Sequence, residues 1–284
     1  MPTLTMDQAL DRYRQLVGPV NANKNVATVR KWLLWGGQPT DASLTAYVRE
    51  LQRQGKKPGT IDAAVRVIRG FYRKFHIPAP RVVGFQFDPV QDTDRPALAL
   101  ETMRTLMAAA LDPESGLDSY QRAILAVSLV YGPRANELAA IQPQDVEVER
   151  LYLRVSKHGQ RRHMWIPETL RPLLDIDWPE VSTPYVERQF GTIWAVIFGT
   201  EKPKGIAWHS VRRGLAASLS EAGVSDGDIE HFMRWKVKGN RSMVALYKNP
   251  NQTVTADGKA PVQKTEAGSY EEDAAVWERH PVLA

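Results

Sequence analysis

The chain has 284 residues, 43% of them hydrophobic and 24% charged, with a formal net charge of +5 and no cysteine. This length exceeds one average domain and suggests two, and the composition is that of a chain that folds around ordinary hydrophobic cores. The absence of cysteine excludes disulfides and thiolate metal sites, and the lack of a long apolar run or a signal-peptide pattern predicts a soluble, cytoplasmic protein without membrane contacts.

The basic residues are concentrated near the N-terminus. Residues 1–84 hold 14 Lys and Arg against 5 Asp and Glu, residues 85–264 balance at 22 against 22, and residues 265–284 carry one Arg against five acids. Such an excess is expected where a protein binds a polyanion and releases its counterions. A solvated basic surface has the same composition, so charge alone favours double-stranded DNA as the partner only weakly.

Residues 1–84 are predicted to form a small helical domain. Apolar residues recur at helical spacing over residues 6–17, 26–35, 44–54 and 60–75. Thr40 or Asp41 is placed to cap the third helix, and Thr60 to cap the fourth. Helices of about a dozen residues each suit a compact bundle.

The fourth predicted helix carries a basic face. Its apolar stripe consists of Ile61, Val65, Ile68 and Tyr72. The cationic residues fall largely away from this stripe, as expected of a face that contacts DNA phosphates, although a solvated face explains the pattern nearly as well. The predicted DNA-binding residues of this region are Lys56, Lys57, Arg66, Arg69, Arg73 and Lys74.

A segment without helical spacing follows the bundle. Prolines at positions 89 and 96 lie in residues 85–97, which predicts an interdomain linker. Helical spacing resumes at Leu98, so residues 98–255 are predicted to form a second, larger domain. The last part of the chain, residues 256–284, is an acidic tail.

The second domain presents an arginine at a helix start. An apolar helix over residues 120–131 is broken by Gly132, and Pro133 suits the first position of a new helix because its missing N–H is not needed there. Arg134 then lies in the first turn, where an anion is favoured. Glu137, three residues on, can hold the guanidinium. An ordinary intrahelical ion pair is the alternative interpretation.

A hairpin is predicted next. Apolar and polar residues alternate over residues 151–155 and again over 163–166, with a polar turn between them. The turn carries Lys157, followed by Arg161 and Arg162, and such a cationic tip can reach into a DNA groove. A lysine-rich turn that merely stays in water is the alternative.

Two cationic side chains share one face of a later helix. His209 and Arg212 are three residues apart, so both lie on the same side. The core-facing positions of this helix are predicted to be Val211, Leu215 and Leu219.

The remaining elements are short. Ser225 and Asp228 form a capping-box-like start for another helix, and Trp235 follows that helix. A further short helix over residues 242–248 presents Tyr247. A lone His-x-x-Arg pair or a lone tyrosine is a weak signal, but these elements occur in one order and in suitable local structures.

This order of motifs resembles the tyrosine recombinase (phage integrase) family over most of the chain. The resemblance implies a mainly α fold with a small β-hairpin (α+β), built from an N-terminal helical-bundle DNA-binding domain and a tyrosine recombinase catalytic domain. Pro133 stands where an aliphatic residue is usual, and the spacing from Trp235 to Tyr247 implies an insertion at residues 238–240. The catalytic residues implied are Arg134, Lys157, His209, Arg212, Trp235 and Tyr247.

The chemistry of such a set follows from its residue types. Arg134 and Arg212 can hold the anionic oxygens of a phosphodiester and stabilise the charge of the transition state. Tyr247 must lose its proton to attack, and His209 is a candidate base for that step. Lys157 is the candidate acid for the leaving hydroxyl, so the reaction needs no cofactor or metal. The family implies attachment to the DNA 3′ end.

Alternatives remain open at this stage. Tyr270 lies among acidic residues that repel a phosphate, and Tyr185 has few basic neighbours, so both are poorer nucleophiles. A type IB topoisomerase uses a similar cationic set and a tyrosine to relax DNA. The third interpretation is a DNA-binding regulator without catalysis. The intact set of residues disfavours this interpretation.

The sequence leaves three arrangements open for the acidic tail. Residues 270–277 show helical spacing and could dock on a neighbouring protomer, which would link a homo-tetramer on paired DNA sites. The tail could equally fold back on its own domain or fray. In the first case we expect its deletion to weaken the pairing of sites. The resemblance implies a nucleoid-associated, cytoplasmic enzyme of integration, excision or resolution.

Overall fold

The computed structural model describes residues 5–86, 96–154, 162–235 and 273–283. The chain divides into two compact units, Met1–Thr93 and Asp94–Ala284, and the boundary falls inside the predicted linker. The described residues are mainly α-helical, with one small antiparallel sheet, as predicted for an α+β fold. Within these ranges no helix is both long and apolar enough to cross a membrane.

The first unit is a bundle of helices. They are α1 (Met6–Leu16), α2 (Pro19–Leu34), α3 (Asp41–Arg53) and α4 (Pro58–Lys74). The Thr40 hydroxyl accepts a hydrogen bond from the Ser43 N–H at the start of α3, so the predicted cap is confirmed. Both α2 and α3 pack against α4, and α1 packs against α2.

Two of these helices begin earlier than predicted. The N-caps of α2 and α4 are Gly18 and Lys57, and each helix has proline in its first turn, at Pro19 and Pro58. Proline is favoured there because the first N–H of a helix has no acceptor within the helix. The prediction that Thr60 caps α4 is therefore wrong, since Thr60 lies inside the first turn.

The core of the first unit is aromatic. Trp32 is fully buried, its Nε1 donates to the Tyr72 hydroxyl at 3.0 Å, and its ring meets Tyr47 edge-on at a centroid distance of 5.1 Å. The apolar stripe predicted for α4 is confirmed, because Ile61, Val65, Ile68 and Tyr72 are all buried. The opposite side of α4 is thereby left to solvent.

The second unit is organised around one buried helix. Its elements are α5 (Leu100–Leu111), α6 (Ser119–Tyr131), α7 (Ala135–Leu138), β1 (Arg150–Leu153), β2 (Arg162–Trp165), α8 (Arg171–Leu174), α9 (Thr183–Phe198), α10 (Trp208–Glu221), α11 (Asp226–Phe232) and α12 (Ala274–Trp277). α6 is apolar on nearly every side and packs against α5, α8 and α10. A helix buried on all sides fixes the position of its ends, and the candidate site lies at its C-terminal end.

Three local predictions for this unit are confirmed: the pairing of the hairpin strands, the cap of α11 and the core positions of α10. β1 and β2 pair antiparallel, with Leu151 opposite Met164, as expected of the predicted hairpin. Ser225 caps α11 by accepting from the Asp228 N–H. The three predicted core positions of α10, Val211, Leu215 and Leu219, are fully buried.

The described part of the acidic tail folds back on its own unit. Val276, Trp277 and Val282 are buried in the core of the second unit, and Arg104 Nε donates to the Pro281 carbonyl at 3.0 Å. Residues 273–283 thus pack on their own domain, which is one of the predicted arrangements of the tail. Deleting this segment would therefore expose core surface in addition to any effect on assembly.

Two glycines of the first unit give a matched test of its packing. A Cβ at Gly37 would overlap the Trp32 ring, whereas a Cβ at Gly70, within α4, would meet only the Tyr13 hydroxyl at 3.9 Å. We expect Gly37→Ala to destabilise the bundle by about 1–3 kcal/mol through overpacking. Gly70→Ala is expected to stabilise it by up to about 1 kcal/mol, because alanine is the better helix former.

Amide hydrogen exchange in α2 to α4 of the full chain measures both effects on the unit concerned. Faster exchange in Gly37→Ala together with slower exchange in Gly70→Ala is the expected pattern. Equal protection in the two variants would mean that Trp32 does not pack against residue 37.

Candidate active site

Arg134 lies at the break between α6 and α7. α6 ends at Gly132, whose φ of 55° is left-handed, and Arg134 is the N-cap of α7. The prediction that Pro133 opens the helix is thus wrong by two residues. Glu137, which is buried, accepts from Arg134 Nη1 at 2.8 Å and from the Arg134 backbone N–H at 3.1 Å, so the predicted contact is confirmed. The Arg134 side chain is 29% exposed and can reach a ligand.

Arg212 lies on α10, one turn after the half-buried His209. Its Nη1 donates to the Gly132 carbonyl and its Nη2 donates to the Met233 carbonyl at 2.7 Å. The guanidinium carbon lies 5.1 Å from the centroid of the Trp235 ring, within the range of a cation–π contact. Arg212 is fully buried, so the phosphate contact predicted for it is not open in this state of the protein.

Arg234 is a site residue that the sequence reasoning missed. It is buried, its Nη2 lies 3.5 Å from Glu137 Oε2, and its Nη1 lies 3.4 Å from the Tyr131 carbonyl oxygen. Nothing in the local pattern marks it, because an arginine just after a helix is usually a solvated cation that interacts with the last carbonyls. Its only sequence signal is its place between Met233 and Trp235.

The charged groups around Glu137 carry a net positive charge. Burial by itself raises the pKa of Glu137, but the charge of Arg234, the Arg134 N–H and the charges of Arg212 and Arg134 together lower that pKa below its usual value. Glu137 is therefore ionised at neutral pH, and three guanidinium groups surround a single carboxylate. This excess of positive charge suits the binding of a phosphate.

The described residues bring part of the predicted catalytic set together. Arg134 contacts Glu137, and Arg212 contacts Trp235 and the carbonyl of Gly132, two residues before Arg134. His209 belongs to the same helix as Arg212. Predicted site residues that lie outside the described residues are Lys157, Arg161 and Tyr247.

Arg162 is buried, whereas its predicted role in DNA binding requires an exposed side chain. It begins β2 with 2% of its side chain exposed, and it forms a two-point ion pair with Asp273, Nη1 to Oδ1 and Nη2 to Oδ2, each at 3.0 Å. In this structure the Arg162 guanidinium faces Asp273 and is not open to a DNA backbone. The sequence did not indicate this burial, because the partner carboxylate comes from the C-terminal segment, 111 residues away.

Aromatic contacts connect the C-terminal segment to residues near the site. The Trp277 ring lies 6.0 Å from Tyr131, 5.3 Å from Trp165 and 5.1 Å from Phe232, measured between centroids. His280 Nε2 lies 2.9 Å from the Val130 carbonyl oxygen in α6, and burial lowers the pKa of His280 to about 4. The segment thus packs against the helix whose end carries the site.

The basic face predicted in the first unit is at the surface. Arg66 and Arg73 are exposed on the side of α4 away from its core stripe, and Arg69, beside the stripe, is half-buried. Arg66 Nη2 pairs with Asp62 Oδ2 at 2.5 Å, one turn earlier. The other predicted DNA-binding residues of this unit, Lys56, Lys57 and Lys74, are exposed as well.

Comparison with known proteins gives the class of fold. No protein-family model and no curated protein matches the sequence. Among solved structures, a lambda integrase dimer bound to a COC′ core site is similar with a TM-score of 0.64 and 17% identity, covering 90% of this chain and 100% of that one. A lambda integrase tetramer bound to a Holliday junction has a TM-score of 0.65 and 17% identity, with 92% and 82% covered.

A Tn1549 transposon integrase in complex with transposon right end DNA is also similar, with a TM-score of 0.59 and 14% identity, covering 89% of this chain and 96% of that one. Each of these structures is an integrase, and the likeness extends over most of the chain. The chain therefore has the fold of the tyrosine recombinases, which the order of its motifs predicted.

The Arg162–Asp273 pair gives a prediction about stability. Asp273→Asn leaves the buried Arg162 without the charge of its partner, so we expect the second unit to lose about 3–5 kcal/mol. Replacing both residues, as Arg162→Met with Asp273→Leu, should recover much of that loss. Denaturant unfolding of the full chain measures these differences.

The control is Glu149→Gln. Glu149 Oε1 lies 3.7 Å from Arg171 Nη2 in an exposed pair, whose loss should cost less than about 1 kcal/mol. An Asp273→Asn variant as stable as this control would contradict the structural role of the buried pair.

Proposed function

We propose that the protein is a site-specific DNA recombinase that cuts and rejoins DNA through a covalent 3′-phosphotyrosyl intermediate. The observation that carries the proposal is the group of guanidinium side chains around Glu137, at the end of a buried helix in a tyrosine recombinase fold. Solved structures that the chain resembles include integrases bound to DNA. A fold alone does not define an activity, so the proposal rests on the charged groups of the site.

Arg134 is the residue that would first meet the scissile phosphate. Its guanidinium is partly exposed and is held by the buried Glu137 carboxylate. One guanidinium edge can then face the phosphate while the other remains on Glu137. The preorganised charge would stabilise the transition state without reorganising during the reaction.

Arg212 would act after a rearrangement. Its two terminal nitrogens donate to backbone carbonyls, and its side chain has no exposed surface. DNA binding would have to open the site and exchange at least one carbonyl for a phosphate oxygen. Trp235 would keep the guanidinium plane in place during this exchange, because the ring contact does not use the N–H groups.

The remaining roles follow the order of the motifs. Tyr247 would attack the phosphorus and form the phosphotyrosyl ester, and His209 is the candidate that takes up the tyrosine proton. Lys157 would give a proton to the 5′ oxygen as that oxygen leaves. The reverse attack by a 5′ hydroxyl rejoins the strand, so the phosphodiester is conserved without an external energy source.

The first unit would hold the duplex. The exposed cationic side chains of α4 can contact successive phosphates, and such contacts position a protein without reading the base sequence. Arg161, next to the candidate acid in the chain, would add a contact near the cleavage site. Exchange of strands between two duplexes requires several active sites, so a homo-tetramer on paired sites belongs to this proposal.

A link between protomers through the tail would require residues 273–283 to leave the core that they occupy here. The similar lambda integrase structure on a Holliday junction is a tetramer, which supports assembly but not this particular connector. Joining of two DNA sites distinguishes the recombinase from a type IB topoisomerase, which relaxes supercoils on one duplex.

The nucleophile is tested by Tyr247→Phe. We expect this variant to bind a duplex as tightly as the parent and to form no denaturation-resistant protein–DNA adduct, because only one hydroxyl is removed. Trapping on a nicked suicide duplex and denaturing gel electrophoresis measure the adduct. Tyr270→Phe is the control and should form the adduct at the parental rate.

The opposite pattern would contradict the assignment. An adduct that survives in Tyr247→Phe but disappears in Tyr270→Phe would move the nucleophile to the acidic segment. An adduct that survives in both variants would remove both tyrosines from the mechanism.

The basic face of α4 is tested by salt dependence. We expect Arg66→Gln with Arg73→Gln to lower the slope of log affinity against log salt concentration by about 2, since two phosphate contacts are lost. The control is Arg14→Gln with Arg53→Gln, which removes the same charge from two exposed arginines on other helices.

Fluorescence anisotropy with a labelled duplex over a series of salt concentrations provides the slopes. If both double variants lower the slope equally, the net charge of the unit and not the face of α4 determines binding.

A further inference from the structure

Arg234 occupies a backbone conformation that arginine rarely adopts. Its φ is 57°, in the left-handed region that favours glycine, and it lies in the short connection between α11 and Trp235. The left-handed conformation makes the chain turn sharply, and the side chain then enters the protein, where it is 2% exposed. A strained and buried cation persists only where its surroundings stabilise it.

The end of α6 provides part of that stabilisation. Arg234 Nη1 approaches the Tyr131 carbonyl oxygen at 3.4 Å, and Arg212 Nη1 donates to the next carbonyl, that of Gly132. The C-terminal end of a helix carries partial negative charge and favours cations. Two buried guanidinium groups from different parts of the chain therefore meet at one helix end.

The Glu137 carboxylate provides the rest of the stabilisation of Arg234. Its Oε2 lies 3.5 Å from Arg234 Nη2, and its Oε1 accepts from Arg134 Nη1 at 2.8 Å. One buried carboxylate thus lies between the partly exposed Arg134 and the buried Arg234. The orientation of Arg134 depends on that carboxylate, and the orientation of the carboxylate depends on Arg234.

The residues beside Arg234 contact the other arginine. The Met233 carbonyl accepts from Arg212 Nη2 at 2.7 Å, and the Trp235 ring lies against the Arg212 guanidinium. A change in the backbone at Arg234 would move both contacts. Arg234 is thus connected to Arg134 through a side chain and to Arg212 through its own chain neighbours.

We propose that Arg234 is a positioning residue of the candidate active site, which holds Glu137 against Arg134 and holds the Met233–Trp235 turn against Arg212. The inference rests on the proposed function, because positioning matters only if these arginines bind a phosphate. We assign Arg234 no contact with substrate, because its guanidinium faces Glu137 and the Tyr131 carbonyl.

A positioning role predicts a change in pH dependence. Burial raises the pKa of Glu137, and the charge of Arg234 is the first of the contributions that lower it. Without Arg234, the pKa of Glu137 rises and the carboxyl takes up a proton at a higher pH than in the parent. A neutral Glu137 loses its hold on Arg134, so adduct formation should fall as the pH is lowered through a range in which the parent rate stays constant.

The test uses Arg234→Gln in the full chain, with Arg122→Gln as the control. Arg122 also donates to carbonyls at a helix end, those of Ala110 and Leu111 in α5, but it has no contact with Glu137 among the described residues. We expect Arg234→Gln to bind duplex DNA as the parent does and to form adduct about a hundredfold more slowly at neutral pH, with a further fall in rate at acidic pH where the parent rate stays constant. Arg122→Gln should keep the parental rate and pH profile.

Two further variants separate charge from backbone conformation. Arg234→Lys keeps the charge near Glu137 and should restore part of the rate and the parental pH profile. Arg234→Gly accepts the left-handed backbone without strain and should lose the rate, because the guanidinium is absent. A parental rate in Arg234→Gly, or a rate loss in Arg234→Gln that tracks loss of folded protein with an unchanged pH profile, would overturn the proposal.

A second measurement does not depend on activity. A carboxyl whose folded pKa is lowered stabilises the protein above its unfolded pKa, and this stability is lost as the pH falls through the folded value. Arg234→Gln should therefore lose less stability than the parent as the pH falls below the unfolded pKa of a carboxyl. The pH dependence of stability should become the same in the two proteins when both also carry Glu137→Gln. If the parent forms no adduct on any duplex, the proposed function fails, while the unfolding curves still decide whether Arg234 controls Glu137.

Discussion

The site depends on one buried carboxylate. Glu137 is 1% exposed, and it is ionised because the guanidinium groups around it outweigh the cost of its burial. Removing its charge would leave Arg134 without its partner and Arg234 as a buried cation without compensation, which is among the costliest defects that a protein core can carry. The carboxylate therefore holds the guanidinium groups at one place, and their excess positive charge makes that place suited to a phosphate.

The helix α6 determines where this group of charges forms. The helix is buried along its length, so its C-terminal carbonyls are fixed by core packing and not by loop contacts. Arg212 and Arg234 reach these carbonyls from α10 and from the end of α11, and Gly132 allows the close approach because a Cβ there would overlap Met233. The C-terminal segment packs on the same helix through His280, so core stability and site geometry share one element.

The sequence predicted what is local and missed what is distant. The stripe of α4, the cap at Thr40 and the Arg134–Glu137 contact follow from spacings of three or four residues, which a single sequence displays directly. The burial of Arg162 could not be predicted, because its partner Asp273 is 111 residues away. Arg234 was missed because neither the sign of its φ nor the inward direction of its side chain is visible in a pattern of apolar residues.

The most direct test of the central claim is a crystal structure of the Tyr247→Phe variant bound to a duplex that it recognises. We expect one phosphate within hydrogen-bond distance of the Arg134 guanidinium, with Arg134 still on Glu137. We also expect Arg212 to exchange a carbonyl contact for a phosphate oxygen. A phosphate held elsewhere, with the guanidinium groups around Glu137 facing no part of the DNA, would contradict the central claim.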